Sequence, residues 1–258
     1  ATKQQAGEAN FYRPEREVDV LRRVLARNRG PLSSEEMARL FREIMSACLA
    51  LEMPMQIAFL GPEGTFTQAA AFKHFGHSVH TVPLAGIDEV FREVESGAAH
   101  FGVVPIENSI EGMVNFTQDA LAFDHELLIQ REIVIDIEHC LLARPGVTLA
   151  DVREVFSIPV ATAQCHRYLR EQLPDADIRA AYSTADAAKQ VSERSELDAA
   201  ALGPRVAAEV YGLDVIAADI ADHHDNQTRF VVVAREGVSA PTGNDKPALV
   251  IYQRADEP

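Results

Sequence analysis

The sequence predicts an α/β protein of two lobes, with a short helical segment in front. Three observations predict it. From residue 56 onward, short apolar runs alternate with helical stretches that carry their own start and stop signals. The alternation occurs in two series, with irregular crossings near residues 107–137 and 219–228. Before residue 55, apolar positions recur only at helical spacing. A chain of 258 residues, 47% of them hydrophobic, can bury a sizeable core.

The charge balance narrows the function classes. The chain has 24 Lys and Arg against 39 Asp and Glu, a net charge of −15. That argues against nucleic acid, whose phosphates demand cations, and against an anionic membrane surface. No apolar run reaches the length of a membrane span, and no signal peptide is visible, so a cytoplasmic protein is expected. Cys48, Cys140 and Cys165 are widely spaced and odd in number. They make neither a disulfide framework nor a metal knuckle and read as buried small hydrophobes.

In chain order, residues 1–10 read as a frayed tail. A helix over 13–27 carries a stripe of Val18, Leu21, Val24 and Leu25, and Gly30-Pro31 stops the chain after it. Ser33 and Glu36 form a capping box for a second helix, whose stripe is Met37, Leu40, Phe41, Ile44, Cys48 and Leu51. Two such helices need a partner, from elsewhere in the chain or from a second subunit.

The β/α alternation starts at Ile57-Ala58-Phe59-Leu60. The turn Gly61-Pro62-Glu63-Gly64 leads to Thr65 and Gln68, a second capping box, and a helix that Gly76 ends. A glycine turn into a helix N-terminus is a ready anion site; the G-x-G-x-x-G spacing of a dinucleotide site is absent. A strand at 79–82 and a helix at 87–94 follow. The strand Phe101–Val104 is expected to end at Pro105, which has no N–H for the ladder. Glu107, Asn108 and Ser109 then stand at its carboxyl end, where open α/β sheets take ligands. A plain polar turn is the alternative.

After Gly112 come a helix over 115–122 and an alternating run over 127–137. Cys140-Leu141-Leu142-Ala143 opens the second series. Ser157 again ends a strand, and a helix over 161–172 has Gln164 in its first turn. A strand at 178–181, a helix capped by Ser183, a strand at 199–202 and a helix with Pro204 at its first position complete that series. Thr228 and Arg229 stand at the start of a strand running to Val233. Residues 237–247 read as a linker, and 248–252 as a lone further strand. Polar loops from both series would converge on one interdomain cleft, the usual place for a small ligand.

These residues resemble prephenate dehydratase, as found in bifunctional chorismate mutase–prephenate dehydratases of phenylalanine biosynthesis. The matching pieces are Gly61-Pro62-Glu63-Gly64-Thr65-Phe66, Val104-Pro105-Ile106-Glu107-Asn108-Ser109, Ser157 with Gln164-Cys165, the 202–212 stretch, and Asn226-Gln227-Thr228-Arg229-Phe230. The resemblance implies a periplasmic-binding-protein-like dehydratase domain at 55–236. Its lobes would cover about 55–137 plus 216–236, and 138–215. Residues 1–54 resemble the second and third helices of the all-α mutase domain. Residues 237–258 resemble a linker and the first strand of a truncated ACT domain. The family's long first mutase helix lies outside this chain, so mutase activity is not expected of it. Arg16, Glu17, Cys48 and Glu52 match positions of a residual mutase pocket.

The resemblance implies a reaction and roles. Prephenate loses carbon dioxide and a ring hydroxyl to become phenylpyruvate, so a donor aimed at the departing oxygen is needed. Thr228 matches the family's catalytic threonine. Glu107, if desolvated, is the other proton source, and Asn108 orients the reacting group. Arg229 would pair a substrate carboxylate, its alternative being a structural ion pair. Phe230, Ser157, Gln164, Thr65 and Ser109 are further substrate contacts. Where the family has His after the serine, this chain has Ile158. Neither cofactor nor metal is called for, since His223-His224-Asp225 fits no metal-ligand spacing. Expected partners are prephenate and a second copy of the chain. A non-catalytic anion-binding module and an arogenate dehydratase remain the alternatives.

Overall fold

The computed structural model describes residues 14–223, 225–236 and 246. The expected tail at 1–10, the further strand at 248–252 and His224 lie outside them. Two antiparallel helices come first: α1 (Pro14–Arg27) and α2 (Ser34–Glu52), the latter capped by the Ser33 side chain as expected. The alternation then runs β1 (Gln56–Leu60), α3 (Phe66–Phe75), β2 (His80–Leu84), α4 (Ile87–Ser96), β3 (Phe101–Asn108), β4 (Gly112–Met113) and α5 (Asn115–Asp119). A π-helical turn at Ala120–Asp124 leads to β5 (Leu128–Asp136). The second series is β6 (Cys140–Ala143), β7 (Glu154–Ser157), α6 (Pro159–Gln164), α7 (His166–Gln172), β8 (Asp177–Ala180), α8 (Thr184–Glu193), β9 (Ala199–Gly203), α9 (Arg205–Tyr211) and β10 (Asp214–Ala217). The chain then returns as β11 (Gln227–Ala234).

The strands form two sheets, ordered β2-β1-β3-β11-β5 with β4 beside β3, and β10-β6-β9-β7-β8. The chain crosses between them twice, after β5 and before β11. β10 pairs with β6, so residues 214–217 go with the second sheet and the return crossing begins after Ala217, not before Ile216. The first sheet is packed on both faces. Val103, Ile133, Ile135, Phe230 and Val232 meet α3 on one side. Val104, Val231 and Val233 meet α4 on the other.

Several elements differ from expectation for local reasons. The single helix over 161–172 is two, broken at Cys165 (φ −116°, ψ 17°). Asp222 holds the break: its N–H donates to the Gln164 carbonyl at 2.7 Å, and its carboxylate accepts from the Arg167 N–H at 3.1 Å. Pro204 caps α9 from outside rather than occupying its first position. The apolar stripe of α2 is not its buried face. Ser46 is buried and Leu49 packs on the α3-side core, whereas Leu40, Ile44, Cys48 and Leu51 are exposed. The partner helix that α1 and α2 required is thus supplied on one side by α3, with His77 Nδ1 2.8 Å from Glu43 Oε1. Cys140 and Cys165 are buried as expected, and burial pushes their thiols up to about 11 and about 12.

Candidate active site

The two crossings are bonded to each other. Ile137 N–H donates to the Asn226 carbonyl at 2.8 Å, and Ile220 N–H to the His139 carbonyl at 3.0 Å. Beside this seam, β11 lies antiparallel to β3, with Thr228 opposite Asn108, Arg229 opposite Glu107 and Phe230 opposite Pro105. Ile106 has no partner in that register, which makes a β-bulge. Pro105 therefore does not end β3; the strand runs three residues further, because a bulge tolerates a residue without an N–H.

The bulge decides which side chain faces Thr228. Val104 and Ile106 both pack toward α4. Strict alternation would turn Glu107 toward α3 and Asn108 away from it. The extra residue inverts the phase, as bulges do beside functional sites. Glu107 joins Arg229 on the α4 side, and Asn108 is turned to Thr228 on the α3 side.

Asn108 Oδ1 accepts from the backbone N–H groups of Ile110 and Glu111 at 3.0 and 2.9 Å. Only the carbonyl end of an amide can do so, and this fixes the direction of every bond beyond it. Asn108 Nδ2 donates to Thr228 Oγ1 and to Asn226 Oδ1, both at 2.8 Å. Asn226 Nδ2 then donates to Gln164 Oε1 at 3.2 Å. The same oxygen lies 2.8 Å from His139 Nε2, which must carry its proton to bond it. Burial lowers the pKa of His139, against the opposing effect of its Gln164 bond, so the ring is neutral with Nδ1 bare. The chain thus runs from His139, at the start of the second sheet, to Thr228 in the first.

Its chemical consequence lies at its ends. Thr228, 8% exposed, accepts from Asn108, so its own hydrogen points elsewhere, and it donates to no acceptor among the described residues. Gln164 has both sites of Oε1 occupied, and its NH2 donates to no acceptor among the described residues. The groups that orient Thr228 and Gln164 are all uncharged. The N-terminus of α3 stands alongside, since the Phe66 ring meets His139 edge-on at 5.8 Å. Thr65 caps that helix, accepting from Gln68 N–H at 3.5 Å. Gly64 (φ +81°) lets its turn approach α9: a Cβ there would lie 2.9 Å from the Tyr211 ring.

Other expected site residues are placed elsewhere. Arg229 bonds Glu107 at 3.1 Å and Glu132 at 2.6 Å on the α4 side, so neither Arg229 nor Glu107 meets Thr228. Glu107 is charge-paired, not desolvated. Phe230 is buried in the core beside α3. The Ser109 hydroxyl accepts from Gln227 N–H at 2.9 Å and donates to the Asp225 carbonyl at 3.2 Å, latching β3 to the return crossing. Ser157 is buried and donates to the Ile158 carbonyl at 3.0 Å. Among the expected mutase positions, Arg16, Cys48 and Glu52 are exposed, and Glu17 pairs with Arg42 at 3.5 Å. No cluster suited to a metal occurs among the described residues. Sequence reasoning missed Asn226 and His139. Asn226 belongs to the matched stretch ending at Phe230 but was given no role there, and His139 carries no motif of its own.

Two sheets joined by a double crossing, with a network of uncharged side chains at the seam, define a two-lobed α/β domain. Residues 57–238 match the prephenate dehydratase family, and residues 1–53 match chorismate mutase type II. The chain belongs to the prephenate dehydratase family. It is 49% identical over 249 residues to the bifunctional chorismate mutase/prephenate dehydratase of Stutzerimonas stutzeri, covering 96% of this chain and 67% of that protein. The chain thus spans about two thirds of the length of such relatives. The Arthrobacter aurescens prephenate dehydratase, solved in complex with L-Phe, aligns with a TM-score of 0.66 and 41% identity, covering 73% of this chain and 63% of that one. A structure described as GqqA, a quorum quenching acylase, aligns at 0.64 and 31%, covering 72% and 66%.

Proposed function

We propose that the chain converts prephenate to phenylpyruvate, carbon dioxide and water, with the seam between the sheets as its active site. The observation that carries this is the direction of the Asn108–Thr228 hydrogen bond: the amide donates, so the threonine O–H is free to donate onward. In the reaction the C–C bond to the ring carboxylate breaks as carbon dioxide leaves. Its electron pair enters the ring, the C–O bond breaks, and aromatisation drives both. The departing oxygen takes up a proton, and Thr228 is placed to deliver a hydrogen bond or that proton. Gln164 binds through its NH2. The α3 N-terminus with Thr65 supplies positive potential for a substrate carboxylate without a side-chain cation. Asn108 and Asn226 hold the donors in place, and Ser157 and Ser109 shape the strand ends around them.

The deciding measurement is release of phenylpyruvate from prephenate by the purified chain. No release, with binding retained, would leave a binding module. Amide hydrolysis in its place would group the chain with the acylase above. Competition between prephenate and arogenate fixes the substrate preference. The exposed Leu40, Ile44 and Leu51 on α2 support a homodimer through that face, which sedimentation would test. No helix among the described residues is long and apolar enough to cross a membrane, in keeping with the cytoplasmic location we propose. In the parent protein residues 237–258 would be a linker and the first strand of an ACT domain, and the lobes would divide at the two crossings.

A further inference from the structure

His139 belongs to neither sheet's core in a chemical sense. It is 3% exposed, yet it spends its one N–H on a side chain rather than on backbone. Its Nδ1 is buried without a hydrogen-bond partner among the described residues. A histidine kept only for packing would be replaceable by an apolar ring at no polar cost. Here the residue is held in place from three directions, two of them at its ring. Its carbonyl accepts from Ile220 in the return crossing, its ring meets Phe66 of α3, and its Nε2–H meets Gln164 at the end of α6. Gln164 stands at a helix break, its backbone carbonyl taken by the Asp222 N–H. Two donors converge on its Oε1: Asn226 from the first-sheet side and His139 from the second.

We propose that His139 is a positioning residue for the dehydratase reaction. Its Nε2–H locks the Gln164 amide so that the NH2 of Gln164 and the O–H of Thr228 face the substrate together. Without that N–H, the Gln164 amide can turn over. Its NH2 would then confront Asn226 Nδ2, a donor against a donor, and the disturbance would pass through Asn108 to Thr228. His139 also ties the donor pair to the crossings, since its own carbonyl is bonded across the seam. The two sheets must therefore be correctly seated before both donors are aimed.

The proposal rests on the dehydratase reading, and its test separates the two. His139→Phe keeps an apolar ring and removes the donor; His139→Gln gives up the ring but keeps an N–H near the Nε2 position. With prephenate as substrate, His139→Phe should lower kcat by about 10²-fold, the scale of a small misplacement of reacting groups. KM should move far less. His139→Gln should recover at least about a tenth of the wild-type kcat, again on the scale of such misplacements. If the ring serves packing alone, the order reverses and His139→Phe is the more active variant; that result overturns the proposal. If the wild-type chain itself releases no phenylpyruvate, the dehydratase reading falls first and takes the positioning role with it. A second measurement needs no variant to fold. The 15N shifts of the His139 ring in the intact chain should report protonated Nε2 and bare Nδ1 at neutral pH. The opposite tautomer would break the hydrogen-bond chain and the proposal together.

Discussion

Thr228 and Arg229 are neighbours on one strand, yet they sit in two different kinds of environment. On the α3 side, Thr228 ends a run of neutral groups in which Asn108 donates both ways and Gln164 Oε1 accepts from both sides. On the α4 side, Arg229 joins Glu107 and Glu132, and Glu132 also meets Lys246 at 2.7 Å. The Arg229 side chain is 48% exposed and that of Glu107 36%. The neutral face gains its effect from direction: the Asn108 amide, pinned by two backbone N–H groups, sets the sense of each bond through Asn226 and Gln164 to the His139 proton. The charged face has strong partners but sits in water, where pairs are screened and contribute little. The residues with the strongest formal chemistry are therefore not those that the fold has aimed.

The largest expected effect comes from removing the end of the neutral chain. Thr228→Val keeps the shape of a β-branched side chain and deletes the hydroxyl. Turnover of prephenate should fall by about 10² to 10⁴, the usual worth of a positioned proton donor, with the fold unchanged by circular dichroism. Wild-type-like turnover would show that this face is not the reactive one. Asn108→Asp is the sharper test of direction. The carboxylate can still accept from the Ile110 and Glu111 N–H groups, but it cannot donate. Thr228 must then turn its hydrogen inward to the new acceptor, and Asn226 loses its donor. A loss of about 10²-fold in kcat is expected from a change of one atom. Retained turnover would mean the direction of that bond is immaterial.

The two faces also differ in how legible they were. The strand pattern, the capping residues Ser33, Thr65 and Ser183, and the order of elements follow from local periodicity, and the structure keeps them. Asn108 stands out as a polar residue at the end of an apolar strand, whereas the roles expected of Thr228 and Gln164 came from the resemblance to prephenate dehydratase. The errors arose where the answer is a matter of register. Pro105 was read as the end of a strand when the strand continues through a bulge, and the extra residue, Ile106, decides whether Glu107 or Asn108 faces Thr228. Nothing local to β3 states where β11 will pair with it. His139 was hidden for a related reason. It precedes the apolar run Cys140–Ala143, and its partner lies 25 positions away behind a helix break. The stripe on α2 misled in the opposite sense, since periodicity reports that a face is apolar and not which partner covers it.

A third way to separate the faces uses pH against salt. His74 of α3 is buried, and burial, aided by the Arg131 and Arg42 charges, holds its pKa down to about 3. An unfolded histidine takes up its proton near the ordinary value of 6.5. Between the two values the unfolded chain binds the extra proton and the folded chain does not. Stability is therefore full above pH 6.5 and is lost as pH falls toward 3, by up to about 1.4 kcal/mol per pH unit. Urea midpoints measured from pH 7 to 4 should decline, and His74→Leu should flatten the slope. A slope unchanged in that variant would place the acid sensitivity elsewhere.

The smallest effect is expected on the charged face, and it bears most directly on the comparison. Glu107→Gln removes the pair with Arg229 but leaves Arg229 its Glu132 partner, so no charge is stranded. Both groups are more than a third exposed, which limits the cost to less than about 1 kcal/mol and makes it fade with added salt. Turnover should stay near wild type, and the acidic limb of its pH profile should not move, because Glu107 points away from the donors across the thickness of the strand. A large loss of kcat in Glu107→Gln, or a shifted acidic limb, would mean that the bulge does not hold its phase during the reaction. Glu107 would then reach the face that Asn108 occupies in this structure. In that case the proton would come from a carboxylic acid and not from a threonine, and the direction of the Asn108 amide would no longer control the chemistry.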